Sequence, residues 1–177
     1  MTIYELGEKK PKIAHTAYVH PQASVIGDVM IGERVFIAPM ASIRGDRGRI
    51  EIGDETNVQD GAVIHSDSSF VTRIGRRVNI GHNATIHAES IDDNAAIGMG
   101  AVLMLGSKVA KGAMIANSAL LHNKTQTAPN KIYAGVPAKF LRELDPTGEA
   151  RKAIDVYLDD YVESIEMYKK DLRETRD

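Results

Sequence analysis

Aliphatic residues recur along this chain at every sixth position. The series opens with Ile13, Val19, Val25, Ile31, Ile37 and Ile43, all branched at Cβ. A small or β-branched residue stands two before each later one, as at Ala17, Ala23, Val29, Val35 and Ala41. Glycine often follows the aliphatic position, as at Gly32, Gly53, Gly75, Gly81 and Gly98. The ladder slips three times. Three extra residues follow Ile43 before it resumes at Ile52, Val58 and Ile64. Four extra residues then precede Ile74, Ile80 and Ile86, and one is dropped before Ile91, Ile97, Leu103, Val109, Ile115 and Leu121. None of these 18 rungs is polar.

An amphipathic helix repeats at three and four residues, and a half-buried hairpin strand at two. Period six predicts short strands separated by tight corners, three of them to a triangular coil. The fold class expected is all-β, a parallel β-helix over residues 1–144 in which 18 rungs make about six coils. Each coil stacks ~4.8 Å above the last through parallel backbone hydrogen bonds. Periodicity leaves the hand of the coil open, and the general rule for parallel crossovers favours the right hand. After Asp145-Pro146-Thr147-Gly148 the pattern changes. Ile154, Tyr157, Leu158, Tyr161, Val162, Ile165, Tyr168 and Leu172 recur at helical spacing, which predicts one amphipathic helix within 145–177. Its three tyrosines are expected to pack on the β-helix or on a neighbouring copy.

Side chains beside a core rung point outward. Stepping one coil at a time puts Ile43, Ile64, Ile86 and Leu103 on one face, and Ile37, Val58, Ile80 and Ile97 on the preceding face. Arg44, His65 and His87 then form an outward column on the first of these. Gln59 stands on the preceding face, followed by Asp60, and His82 lies one coil above Asp60 near a corner. Stacked neighbours are one strand spacing apart, so His65 and His87 can meet one metal. His82 points elsewhere and can join them only if a second copy presents that face. Closing such a contact by rotation gives a ring, and a triangular prism suits a homotrimer with one site per interface.

Three neutral imidazoles with a vacant fourth position are what a catalytic zinc requires. The chain has no Cys, which excludes disulfides and thiolate sites and leaves zinc or ferrous iron on nitrogen and oxygen ligands. His15, His20 and His122 have no such company and read as ordinary surface residues. Net charge is -2 with the signs well mixed, which points to neither nucleic acid nor a membrane surface as partner. No apolar run follows a basic start and no stretch approaches the ~18 residues of a span, so a cytoplasmic protein is the expectation.

Arg44-Gly45-Asp46, Asn57-Val58-Gln59-Asp60-Gly61, Ile64-His65, Gly81-His82-Asn83 and Ile86-His87 resemble the gamma-class carbonic anhydrases in order and spacing. Ile97-Gly98-Met99-Gly100-Ala101 continues the likeness, which covers roughly residues 10–145. The resemblance implies a left-handed β-helix that trimerises with zinc or ferrous iron between subunits, held by His65, His82 and His87. It implies a lyase that hydrates carbon dioxide reversibly to bicarbonate, in which the metal lowers the pKa of a bound water to about 7. By the same resemblance Gln59 orients the nucleophile, Asn57 orders Gln59, and Arg44 and Asp46 form a structural ion pair at the interface. Register adds a role for Asp60, one coil below His82 on the face opposed to Arg44. No organic cofactor is expected.

Two departures mark a short-loop subclass. Ser66-Asp67-Ser68-Ser69-Phe70 is short and carries one carboxylate where the best-known members have a long acidic loop with a proton-shuttling glutamate. Arg47 stands where those members have a glutamate. Asp67 or a water chain would have to move the proton. Two other functions remain open on this scaffold: an acyl-CoA thioesterase or acyltransferase, and a catalytically weak trimeric metal-binding module. Gly135-Val136-Pro137-Ala138-Lys139 is compatible with the first, because hexapeptide-repeat acyltransferases carry similar residues.

Overall fold

The computed structural model describes residues 2–175. The chain winds as a parallel β-helix of about seven turns. One face stacks Thr2–Tyr4, the start of Ser24–Ile31, the start of Ser42–Ile52, Val63–His65, Thr85–Ile86, Val102–Leu103 and Leu120–Leu121. The second face stacks Tyr18–Val19, Phe36–Ile37, Asn57–Val58, Asn79–Ile80, Ala96–Ile97, Met114–Ile115 and Lys131–Ala134. The third runs from Lys12–Ile13 to Lys108–Val109. Two long strands, Ser24–Ile31 and Ser42–Ile52, pass round one corner and join the first face to the third.

Every rung expected from the period lies in one continuous core, and all but half-buried Ile13 are at most 5% exposed. The small residues two before each rung, such as Ala23, Ala41, Ala62, Ala84 and Ala101, fill the prism corners and are equally buried. The glycines after the rungs have a physical reason. A Cβ on Gly53 would stand 2.7 Å from the backbone carbon and oxygen of Gly75 one coil above. One on Gly75 would stand 2.4 Å from Asp93 Oδ1, the oxygen that accepts the Arg76 N–H.

The expectation of six coils is corrected to about seven. Thr2–Tyr4 adds a layer beneath Val25, and Lys131–Ala134 adds one above Ile115. These end layers bury one side only, so they need no strict hexad; Ile3 is 36% exposed. Beyond Ala134 the direction reverses, and Lys139–Glu143 pairs antiparallel with Lys131–Ala134.

The helix spans Glu149–Asp171. Asp145 prepares its entry by accepting the Thr147 N–H, and the charges suit the helix dipole, with Glu149 in the first turn and Lys169 and Lys170 in the last. It therefore ends before the expected limit at residue 177; Leu172 is extended, and residues 176–177 lie outside the described part. Past Leu172 the chain has only charged and polar residues and nothing left to bury. The helix runs down the second face. Arg151 donates to Asn94 O, Arg77 pairs with Asp159 at 2.9 Å, and Lys169 donates to Thr16 O. Tyr161, Ile165 and Tyr168 pack on Tyr18, Phe36 and Ala38. Tyr157 lines a cavity against the second face and is 62% exposed in the single chain. Among the described residues no helix is long and apolar enough to cross a membrane.

Candidate metal centre

The register of the first face puts Arg44 beside His65, and His87 follows one coil on. The two imidazoles stack with ring centroids 5.1 Å apart and planes inclined by 29°. Asp46 reaches back from two residues past Arg44. Its carboxylate takes the Arg44 guanidinium at 2.5 Å through one oxygen and meets His65 Nε2 at 3.0 Å through the other. Partial burial pushes this carboxyl up, but the hydrogen bonds and charges of Arg44 and His65 outweigh it and bring the pKa down to about 2. Asp46 is thus an anion at any working pH, and it orients His65.

His87 is held differently. Burial, and then the neighbouring His65, lower its pKa below the ordinary 6.5 against the pull of Asp67. Its Nε2 is buried and has no hydrogen-bond partner. A neutral imidazole with an unpartnered nitrogen is the protonation state a metal ligand must have.

On the second face His82 Nδ1 meets Asp60 Oδ2 at 3.0 Å, which leaves Nε2 for another partner. Gln59 is buried beneath it. Gln59 Nε2 donates to Asn57 Oδ1 at 3.1 Å and to Asn79 Oδ1 at 2.9 Å, while Gln59 Oε1 accepts the His82 N–H at 3.2 Å. The Nδ2 of Asn57 is buried without a partner. A cavity of about 420 Å³ separates this amide floor from Ile154, Tyr157 and Tyr161 of the helix. A groove of about 850 Å³ along Gly32, Gly53 and Gly75 of the third face contains none of the candidate residues.

The structure thus forms two half-sites. Arg44, Asp46, His65 and His87 share one face; Asn57, Gln59, Asp60 and His82 share the next. Among the described residues no three His, Asp or Glu side chains of one chain converge on a metal-sized point. The donor set nevertheless suits a divalent metal: two stacked imidazoles, one with an unpartnered nitrogen, and a third imidazole oriented by a carboxylate. Sequence reasoning passed over Asn79. Its signal was available, because it precedes rung Ile80 just as Asn57 precedes rung Val58.

No family model matches the chain. It is 38% identical over 149 residues to gamma carbonic anhydrase 2, mitochondrial, from Arabidopsis thaliana, an alignment covering 81% of this chain and 54% of that protein. The chain thus spans about half the length of such plant relatives. It is 35% identical over 144 residues to carnitine operon protein CaiE from a Proteus species, covering 81% of this chain and 73% of that one. The chain belongs to the hexapeptide-repeat family, with gamma carbonic anhydrases and CaiE among its relatives. Among solved structures of such proteins, a hexapeptide transferase family protein from Anaplasma phagocytophilum superposes with a TM-score of 0.88 at 32% identity. That match covers 94% of this chain and 98% of the other.

Proposed function

We propose that the chain is a carbonic anhydrase-like lyase that works as a homotrimer. It would hydrate carbon dioxide reversibly to bicarbonate at a divalent-metal site shared between copies. His65 and His87 would hold zinc or ferrous iron together with His82 of the partner subunit. The observation that carries this reading is the stacked His65–His87 pair with its buried, unpartnered Nε2, while His82 stands oriented on the adjoining face. Kinship with gamma carbonic anhydrases at 38% identity supports the chemistry.

When bound, such a metal supplies the Lewis acidity that brings the pKa of water from 15.7 toward about 7. The chain's own groups do the rest. Asp46 and Asp60 hold their imidazoles in place, and mutation of such orienting partners typically costs 10–100-fold in metal affinity or activity, as an order of magnitude. Gln59 has both N–H groups spent on Asn57 and Asn79 and one lone pair spent on His82. It can only accept. A hydroxyl beside it must give Gln59 its hydrogen, which turns the oxygen lone pair toward the carbon of carbon dioxide. A bond from that oxygen to the carbon would give bicarbonate, which leaves, and the water that replaces it must lose a proton before the next turnover. Asp67 is the one carboxylate of its loop, and hydrogen bonds from Ser69 hold its pKa below the ordinary value. A proton relay works best with a pKa near the working pH, so Asp67 is a weak carrier and turnover should rise with added imidazole buffer.

The test is metal analysis together with carbon dioxide hydration by the anaerobically purified protein, with His82→Ala as control. About one zinc or iron per chain and His82-dependent hydration are expected; native protein that binds no metal sinks the reading. Subunit exchange between His82→Ala and His65→Ala variants should rebuild about a quarter of the sites, because each site draws on two copies. The likeness to a hexapeptide transferase family protein favours acyl transfer or acyl-thioester hydrolysis as the second reading. Metal-loaded trimer without hydration activity, but cleaving an acyl-CoA, would select it. Metal-loaded trimer inactive in both assays would leave the structural assembly module.

A further inference from the structure

We infer that Asn79 is a positioning residue for Gln59, holding its side-chain amide in the one orientation that hydration uses. The inference rests on the hydration reading above. A primary amide has two N–H donors and two acceptor lone pairs. Gln59 directs its donors to Asn57 Oδ1 at 3.1 Å and Asn79 Oδ1 at 2.9 Å, and receives the His82 N–H at 3.2 Å. Turning the amide over would set its NH2 against the His82 N–H and its oxygen against two carbonyl oxygens. The His82 contact would be mismatched whatever the asparagines did, because a backbone N–H cannot turn with it, and keeping the other two would require both asparagine amides to turn as well, around a side chain only 7% exposed. Without Asn79 a single carbonyl would oppose the turn on the donor side, and the second N–H would be left buried without an acceptor.

The column in which Asn79 stands identifies this as a dedicated arrangement. The residues just before successive rungs of the second face are Tyr18, Phe36, Asn57, Asn79, Ala96 and Met114. Amides occur in this column only on the coil of Gln59 and on the coil stacked next to it. Gln59 Nε2 is the side-chain partner of both. The Asn79 side chain makes no hydrogen bond to the histidines and acts through Gln59. The consequence is a fixed polarity: Gln59 presents an oxygen, never an N–H, to whatever occupies the site.

The experiment uses the intact chain labelled with [15N]glutamine. It has three glutamines, Gln22, Gln59 and Gln126, and the two others are exposed and serve as references. Both Gln59 side-chain protons should exchange with solvent far more slowly than those of Gln22 and Gln126. Asn79→Leu should release one of them, and Asn79→Asp, which keeps the acceptor, should retain the protection. In the hydration assay Asn79→Leu should lower kcat about tenfold with KM and metal content unchanged, and Asn79→Asp should restore part of the loss. Unchanged Gln59 protection or unchanged kcat in Asn79→Leu overturns the inference. A wild type that hydrates no carbon dioxide refutes the hydration reading instead, and the exchange measurement then decides on its own whether Asn79 orders Gln59.

Discussion

Gly48 leaves no space for a side chain. A Cβ there would stand 2.0 Å from the Asp67 carbonyl oxygen and 2.6 Å from Ser66 Oγ. Gly48 lies in the strand Ser42–Ile52 and Asp67 in the short loop, so the three-residue and four-residue slips of the ladder pack on each other beside the histidine column. Gly48→Ala must push that loop outward. Denaturant unfolding should show a loss of about 1–3 kcal/mol, the usual cost of overpacking a tight site. The stacking of His65 on His87, and the place of His82 on the adjoining face, were legible in the sequence because register alone decides them. The bond from Asp46 to His65, and the role of Asn79, depend on side-chain rotamers, which no period encodes.

Among the elements, the helix is where polar chemistry and packing meet. Tyr18 and Tyr161 lie in its contact with the second face, and burial raises the pKa of both above the ordinary 10.0. For Tyr18 the neighbouring Tyr168 adds to the rise, and for Tyr161 so do Asp60 and Tyr168. A tyrosine whose pKa is raised in the fold ionises first in the unfolded chain. Its contribution is complete below pH 10.0 and is lost as pH climbs from there through the folded value. Thermal unfolding followed against pH should therefore show stability falling above pH 10.0. Tyr18→Phe should weaken that fall. Because the Tyr18 hydroxyl is buried without a partner, the same variant should lose no stability at neutral pH. The helical period announced this element but not its length. The pattern carries on to Leu172, whereas the surface that pays for burial ends near Tyr168.

At the scale of the molecule, the proposed site couples folding to association. A metal held by two copies stabilises the trimer and is released with it. The loaded protein should unfold at a temperature that rises with protein concentration, and chelation should lower that temperature and weaken its dependence on dilution, as scanning calorimetry at two concentrations with and without chelator would show. A site complete within one chain would leave the chelated and loaded proteins equally insensitive to dilution. The hexad pattern predicted the prism and its faces, because a continuous aliphatic core demands them. It was silent about the two ends, where a layer has only one neighbour and the sequence is free to vary; Thr2–Tyr4 and Lys131–Ala134 went unread for that reason.

Those ends have a consequence for solubility. A stack of parallel coils exposes unpaired backbone at each terminus and could template the next molecule, as an open sheet edge does. Lys139–Glu143 runs the wrong way for another coil to continue the stack, and its exposed residues include Lys139, Arg142 and Glu143. This strand is a stopper against growth into a filament. Shortening the antiparallel hairpin while keeping the helix should yield end-to-end rods visible by electron microscopy, with each rod adding units along the axis of the prism.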